Sequence, residues 1–482
     1  MEISLKSQIK SGLFYSALAK YSGIVISLVV SAVLSRLLTP EDFGVVAISM
    51  VFIVFISLLS DLGFAPAIIQ NKNLTTDDTN NIFSFTIWTA LLGSIIFFFC
   101  SGLISNFYHN KPLIVICKIL SVNVFFSTCN IVPNALLMKD KKFKYIAVRT
   151  LTIQIIAGII SIIAAFEGAS FYALLINPLL TSFVMFIIDY NKTGVNFKFK
   201  FDLSSVKKIL SFSSYQLLFN IVNYFTRNAD TLLIGRYLGI NPLGYYDKSY
   251  RLMMLPVANI TNVLTPIIHP IFSDMQNDKK RMYKANQKIV RLFAYIGFPF
   301  SVLLFFLSKE IILIVFGDQW IKAIPVFRIL SLSTCLQIIG SSSGSFFQSL
   351  NAARYLFICG IVNASIVVSS LLFGLFYLKS IEGVALSFAI ASLLGFYSTF
   401  YFLITKSFDE SLLSFFKTLI SPFAFALCLF VCLWCADLVI KPLSIYITAF
   451  VKVLIALVVS LIYVQLVERL GLKDLYKLLA KN

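Results

Sequence analysis

Apolar stretches of about 18 or more residues recur along the whole chain, separated by brief polar interruptions. Each is long enough to cross a hydrocarbon core of about 30 Å as a helix. The pattern predicts about fourteen spans, at roughly 12–34, 43–68, 82–107, 112–138, 144–166, 169–188, 209–238, 244–270, 288–307, 322–347, 353–378, 381–405, 413–436 and 443–466. The expected fold class is therefore an all-α polytopic membrane protein. The connections are short, leaving no room for a large soluble domain.

The pattern also repeats. SRLLTPEDFG at 35–44 returns as GRYLGINPLG at 235–244, with Arg36 matching Arg236, Leu38 matching Leu238 and Gly44 matching Gly244, all at an offset of 200. Pro66 matches Pro266 at the same offset, and EGASFYAL from Glu167 has a looser counterpart in EGVALSFA from Glu382. An even number of crossings separates the copies, so six spans are followed by six in the same orientation. That is a parallel repeat with its axis along the membrane normal, an organisation of transporters whose site lies between the halves. The expected domains are a six-helix bundle at 1–190, a basic cytoplasmic linker at 191–208, a second six-helix bundle at 209–406, and two further helices with a cytoplasmic tail at 407–482.

Composition agrees, with 59% of 482 residues hydrophobic and 13% charged. A net charge of +18 could point to nucleic acid, but its placement points to the membrane. With the N-terminus inside, 26 lysines and arginines fall in cytoplasmic segments and 10 in outer ones. Positive loops stay inside, so both termini are expected to be cytoplasmic. The basic inner loops Lys139 to Arg149, Lys192 to Lys208 and Lys279 to Arg291 then lie against anionic headgroups. Ala17-Leu18-Ala19 resembles a cleavage site, yet too few apolar residues precede it for a signal peptide, so the first span is expected to be retained. All eight cysteines fall within spans, which argues against a disulfide framework. Cys428, Cys432 and Cys435 share a helical face, and helix packing rather than a metal is the expected role.

Four cations remain inside spans: Lys20, Lys118, Arg227 and Lys452. Each costs about 2.5–3.5 kcal/mol at a bilayer centre on insertion scales. Lys118 and Lys452 lie near span ends, where a long stem is expected to snorkel. Lys20 and Arg227 sit on polar stripes instead. Ser16, Lys20, Gly23, Ser27 and Ser31 share one face of the first span. Gln216, Asn220, Asn223, Arg227 and Thr231 share the equivalent face of the seventh. Small polar stripes also serve ordinary helix packing, but two amides of asparagine, a glutamine and an arginine suit a wet cavity better. Arg227 is equivalent to Ser27, seven residues or about 10 Å beyond Lys20 toward the outside. The two cations are expected to form a ladder for a phosphate-bearing substrate. Asp230 is either a structural clamp on Arg227 or a switch, in which substrate phosphate displaces it from Arg227 or in which it binds the coupling proton or cation. The repeated turn is expected to be an outer hinge, with Thr39 capping the second span and Pro40 at its first position, while in the second copy Gly239 stops the seventh span and Asn241-Pro242 starts the eighth.

The chain resembles the polysaccharide transport branch of the multidrug/oligosaccharidyl-lipid/polysaccharide exporter superfamily, the Wzx-type O-antigen and capsule flippases. The resemblance rests on SRLLTPEDFG with SDLGFAPAIIQ at 60–70, RNADTLLIGRYLGINPLGYYDKSYRLMMLP at 227–256 and FGDQWIKAIPVFRILSL at 316–332. It implies two six-helix bundles around a cationic cavity, alternating access, and flipping of an undecaprenyl-diphosphate-linked oligosaccharide, a repeat unit of lipopolysaccharide O-antigen or capsule, across a bacterial inner membrane. It implies no cofactor, with a proton or sodium gradient as the candidate energy source, and partners in membrane lipids and in polymerase and chain-length proteins of the same pathway. No nucleotide-binding loop is present to use ATP. A multidrug or cation antiporter of the same architecture is the alternative, and it would favour acids in its spans. A glycan polymerase or ligase would need a sizeable outer loop with catalytic groups, and none is seen.

Overall fold

The computed structural model describes residues 5–61, 64–200, 202–207, 214–273, 278–439 and 444–467; within these, side chains are described except at 5–13, 60, 61, 207, 214–220, 222, 223, 260, 262–273, 464, 466 and 467. The described residues are helical, with no strand among them. Twelve helices among them are long and apolar enough to cross a membrane. Helices also occupy the expected seventh and eighth spans, at Ser214–Tyr237 and Ile240–Ser273.

Helix ends differ from the apolar stretches where capping chemistry lies outside the apolar run. The third span begins at Thr76 rather than near 82 because Thr75 and Asp78 form a capping box: the Thr75 hydroxyl accepts the Asp78 N–H while the Asp78 carboxylate accepts the Thr75 N–H. The second span begins at Pro40 by the same device. Thr39 Oγ1 accepts the Asp42 N–H at 3.3 Å, and Asp42 Oδ2 accepts the Thr39 N–H at 2.9 Å. Asp42 also accepts Ser170 Oγ–H at 2.6 Å, tying this turn to the loop after the fifth span. Thr39→Ala is expected to lower stability by about 1 kcal/mol, read as a fall in thermal midpoint of the detergent-purified protein.

By contact the chain divides into two compact units, Met1–Gly244 and Tyr245–Asn482. The first contains Ser214–Tyr237, which packs on the second span through Phe55, stacked with Tyr224 at 6.0 Å and tilted against Phe225 at 4.8 Å. In lipid, apolar surface gives helices little reason to associate, so close packing and small residues carry the interface. Thus Gly158 of the fifth span admits the Val30 side chain of the first; a Cβ there would lie 2.5 Å from Val30 Cγ2. Buried Ser49, Ser84 and Ser161 return their hydroxyls to the carbonyl four residues back, which satisfies them without another helix.

In the second unit the helices Leu412–Val439 and Ile445–Val467 dock on Lys279–Phe306 through Phe306, Leu429, Leu433 and Ala456. Lys452 lies here and does not snorkel. It is buried, with Nζ 2.9 Å from the Phe306 carbonyl, 2.9 Å from Glu310 Oε1 and 2.9 Å from Asp437 Oδ1. The carboxylates compensate its charge locally, so no excursion to headgroups is required. Arg149 likewise departs from its expected place among headgroup-facing cations. It is buried and paired with the fully buried Asp189, with Asn134 as a further acceptor at 3.4 Å.

Candidate functional site

The first-span stripe runs along a helix, Leu5–Leu37, that is mostly open to its surroundings. Ser16 and Ser27 are exposed, while Lys20, Gly23 and Ser31 are half-buried. Gly23 faces the fifth span, where a Cβ would stand 3.0 Å from Gln154 Oε1. Gln154 is a polar neighbour that the stripe pattern did not reveal, because it lies on another helix. Its Oε1 is buried and has no hydrogen-bond partner among the described residues. One edge of the stripe therefore packs, and the other, carrying Ser16 and Ser27, stays open. Lys20 makes no hydrogen bond or ion pair among the described residues.

On the seventh helix the side chains of Gln216, Asn220 and Asn223 lie outside the described residues. Arg227 is exposed, and no hydrogen bond or ion pair holds it among the described residues. Asp230 and Thr231 are buried, and Asp230 Oδ1 accepts the Thr231 N–H at 2.7 Å. Arg227 and Asp230 are thus not joined to each other. The structure brings Asp230 to its own helix backbone and leaves Arg227 exposed. Two tyrosines that the stripe omitted anchor this helix to its neighbours: Tyr224 Oη donates to the Val51 carbonyl and Tyr108 Oη donates to the Leu232 carbonyl at 3.3 Å, while Asn228 Nδ2 donates back to the Tyr224 carbonyl of its own helix at 2.8 Å. Arg236 stacks over Phe107 at 5.2 Å.

The hinge residues have a sharper geometry. A Cβ on Gly44 would lie 2.1 Å from the Ile240 carbonyl oxygen, and one on Gly244 would lie 1.9 Å from the Pro40 carbonyl oxygen. Residues 40 and 240 are equivalent in the repeat, as are 44 and 244, so the duplicated turns meet each other reciprocally. Backbone touches backbone there, and only glycine leaves the space. Gly239 has φ +103°, the left-handed region that closes the preceding helix, and Ile240 and Pro242 begin the next. Arg36 is exposed and Arg236 half-buried at the matching positions. Pro66 is exposed on a separate short helix, Phe64–Gln70, and the Pro266 side chain lies outside the described residues.

The motif around Phe316 and Trp320 has a structural use in the second unit. Buried Lys248 places Nζ 4.9 Å from the Phe316 ring and 5.7 Å from the Trp320 ring, while Ser249 Oγ donates to the Ala323 carbonyl at 3.1 Å. Two of the sequence signatures are therefore packed partners, and Arg251 Nε pairs with Asp247 at 2.7 Å beside them.

A family model described as polysaccharide biosynthesis protein matches residues 33–325. Among curated proteins, the chain is 24% identical to the lipopolysaccharide biosynthesis protein WzxC of Escherichia coli K12 over 91% of its length and 89% of that protein's. It is 25% identical to the teichuronic acid biosynthesis protein TuaB of Bacillus subtilis over 73% and 74% of the two chains. The fold is that of the lipid II flippase MurJ in an inward closed conformation, with a TM-score of 0.73 at 16% identity, covering 95% of this chain and 99% of that one. An inward-facing multidrug resistance MATE transporter matches at 0.60 and 13% identity, over 82% and 96% of the chains.

Proposed function

The chain belongs to the polysaccharide biosynthesis protein family, and on that premise we propose that it is a flippase for a lipid-linked oligosaccharide. In this reading it moves an undecaprenyl-diphosphate-linked repeat unit from the cytoplasmic to the periplasmic leaflet of a bacterial inner membrane, with both of its termini cytoplasmic. The observation that carries the reading is the pair Lys20 and Arg227, two cations on the polar stripes of their helices with no ion-pair partner among the described residues. A cation kept in that state is available to a polyanion. Lysine offers a point charge and arginine a bidentate fork for phosphate oxygens.

In the proposed cycle the bundles 1–190 and 209–406 act as the two halves, joined by the basic linker 191–208. The diphosphate meets Lys20 first and Arg227 later, the glycan lies among Ser16, Ser27, Gln216, Asn220 and Asn223, and the polyprenyl tail stays in lipid. Thr231 lines the cavity with these residues, and Asp230 is the candidate coupling or switch point for a proton or sodium ion. Polymerase and chain-length proteins of the same pathway are the proposed partners. Basic rather than acidic groups on the stripes favour this reading over a cation antiporter.

Lys20→Ala and Arg227→Ala are each expected to cut flipping about tenfold or more, the loss of one charge-assisted phosphate contact. Flipping is measured as protection of lipid-linked glycan from an outside probe in proteoliposomes. Parental rates for both variants, correctly inserted, would remove the ladder.

A further inference from the structure

Within the first unit, on the side that the basic loops mark as cytoplasmic, a cavity of about 280 Å³ opens. It lies between the start of the Thr76–Tyr108 helix and the ends of the Ile131–Lys139 and Tyr172–Thr193 helices. Its charged lining is Lys139, Lys142, Lys192 and Asp140, three cations against one acid. Lys139 Nζ donates to the Asn71 carbonyl at 2.8 Å, and Lys142 Nζ to Asp140 at 2.8 Å. An ammonium has three donors, so both keep donors to spare. Lys192 stands 5.7 Å from the Tyr145 ring and has no carboxylate partner among the described residues. The first turn of the adjoining 33-residue helix carries Asp77 and Asp78, which offset the partial positive charge of its N–H groups; Asp78 is engaged by Thr75 and Asp77 by Lys198. Lysines at two helix C-termini would be explained by the helix dipoles alone. A third lysine and a polar cavity between them are left over.

Beside this cavity the chain leaves its helix at Gly194 and is pinned along the Thr76–Tyr108 helix. The Asn196 N–H donates to Asn80 Oδ1 at 2.9 Å, the Lys198 N–H donates to Ser84 Oγ at 2.8 Å, and Lys198 Nζ reaches Asp77 at 3.1 Å. The alternate residues Phe197 and Phe199 are exposed, Phe199 to 76%, and Phe199 meets the exposed Trp88 edge-on at 5.5 Å. Trp88 is of the type enriched at headgroup level, and the exposed Phe197 and Phe199 rings add apolar surface that acyl chains can cover. The pinned segment thus runs from the cavity at Gly194 to the Phe199 and Trp88 pair, which lies eight residues or about 12 Å beyond Asn80 along the same helix.

We propose that this cavity binds the phosphate of an anionic glycerophospholipid from the leaflet it faces, with the acyl chains lying over Phe199 and Trp88. The net positive lining selects an anionic headgroup, and the aromatic pair selects a lipid over a free phosphate. The site is separate from Lys20 and Arg227 and does not depend on what the protein transports.

The test uses the full-length protein in detergent, with lipid retention measured by native mass spectrometry. The probes are phosphatidylglycerol, phosphatidylcholine and inorganic phosphate. Phosphatidylglycerol is expected to be retained in preference to phosphatidylcholine. The double variant Lys142→Gln/Lys192→Gln is expected to weaken that retention about thirtyfold, the worth of two lysines at an anionic surface. Phe199→Ser is expected to weaken phosphatidylglycerol retention without creating phosphate binding. Equal retention of the two lipids by the parental protein, or an unchanged preference in the double variant, overturns the proposal. Binding of inorganic phosphate together with an unaffected Phe199→Ser variant overturns the lipid assignment in favour of a free phosphate.

Discussion

Gly44→Val and Gly244→Val are each expected to reduce flipping by at least about tenfold while the protein still inserts, because overpacking costs about 1–3 kcal/mol even where side chains can yield. Here the neighbour is backbone. The added Cβ would stand 2.1 Å from the Ile240 carbonyl oxygen in one case and 1.9 Å from the Pro40 carbonyl oxygen in the other. Neither oxygen can rotate away, since Pro40 and Ile240 each begin a helix. The duplicated turns would have to separate, and any stage of transport that needs them together would be lost. Membrane abundance measured beside flipping separates this outcome from failed insertion. Equal activity at equal abundance would mean that the contact of the two turns has no part in the cycle. Because the geometry is reciprocal, the two variants should behave alike.

Lys452→Met is expected to destabilise the protein by about 3–5 kcal/mol, the cost of leaving a buried charge without its counterion. Glu310 is buried, and its Oε2 already has no hydrogen-bond partner among the described residues. Removing Lys452 would leave its other oxygen unpaired as well, while Asp437, 40% exposed, can turn to water. The damage should therefore centre on Glu310. Adding Glu310→Gln to Lys452→Met is expected to recover much of the lost stability, because a neutral amide replaces the stranded carboxylate. Thermal unfolding in detergent reads both. A single variant as stable as the parent would show that the ion triad does not hold the last two helices in place.

These two sites also show what the sequence could and could not convey. The offset of 200 identifies Gly44 and Gly244 as equivalent, but equivalence is not contact, and only the fold shows each glycine against the other copy's first helical residue. For Lys452, distance to a span end is a local quantity, whereas its partner Glu310 is 142 residues away. Arg149 misleads in the same way, since Asp189 lies one helix on. Local chemistry reads well: the Thr39 and Asp42 capping pair, Pro40 at the first helical position and Gly239 with positive φ are all visible as residue types in order. Apolar runs locate helices but shorten them at polar, capped starts such as Thr75 to Asp78. Of the proposed site, the periodic stripe with Lys20 and Arg227 is legible because it lies along single helices. Gln154, Tyr224 and Tyr108 are not, because they reach the stripe helices or their flanks from elsewhere or serve the backbone.

The proposed activity is tested most directly by deleting the gene in its native host and measuring on which leaflet the lipid-linked repeat units reside. They are expected to accumulate on the cytoplasmic leaflet and to be restored to the outer one by the parental chain but not by the Lys20→Ala/Arg227→Ala double variant. An unchanged leaflet distribution in the deletion strain would contradict the flippase reading.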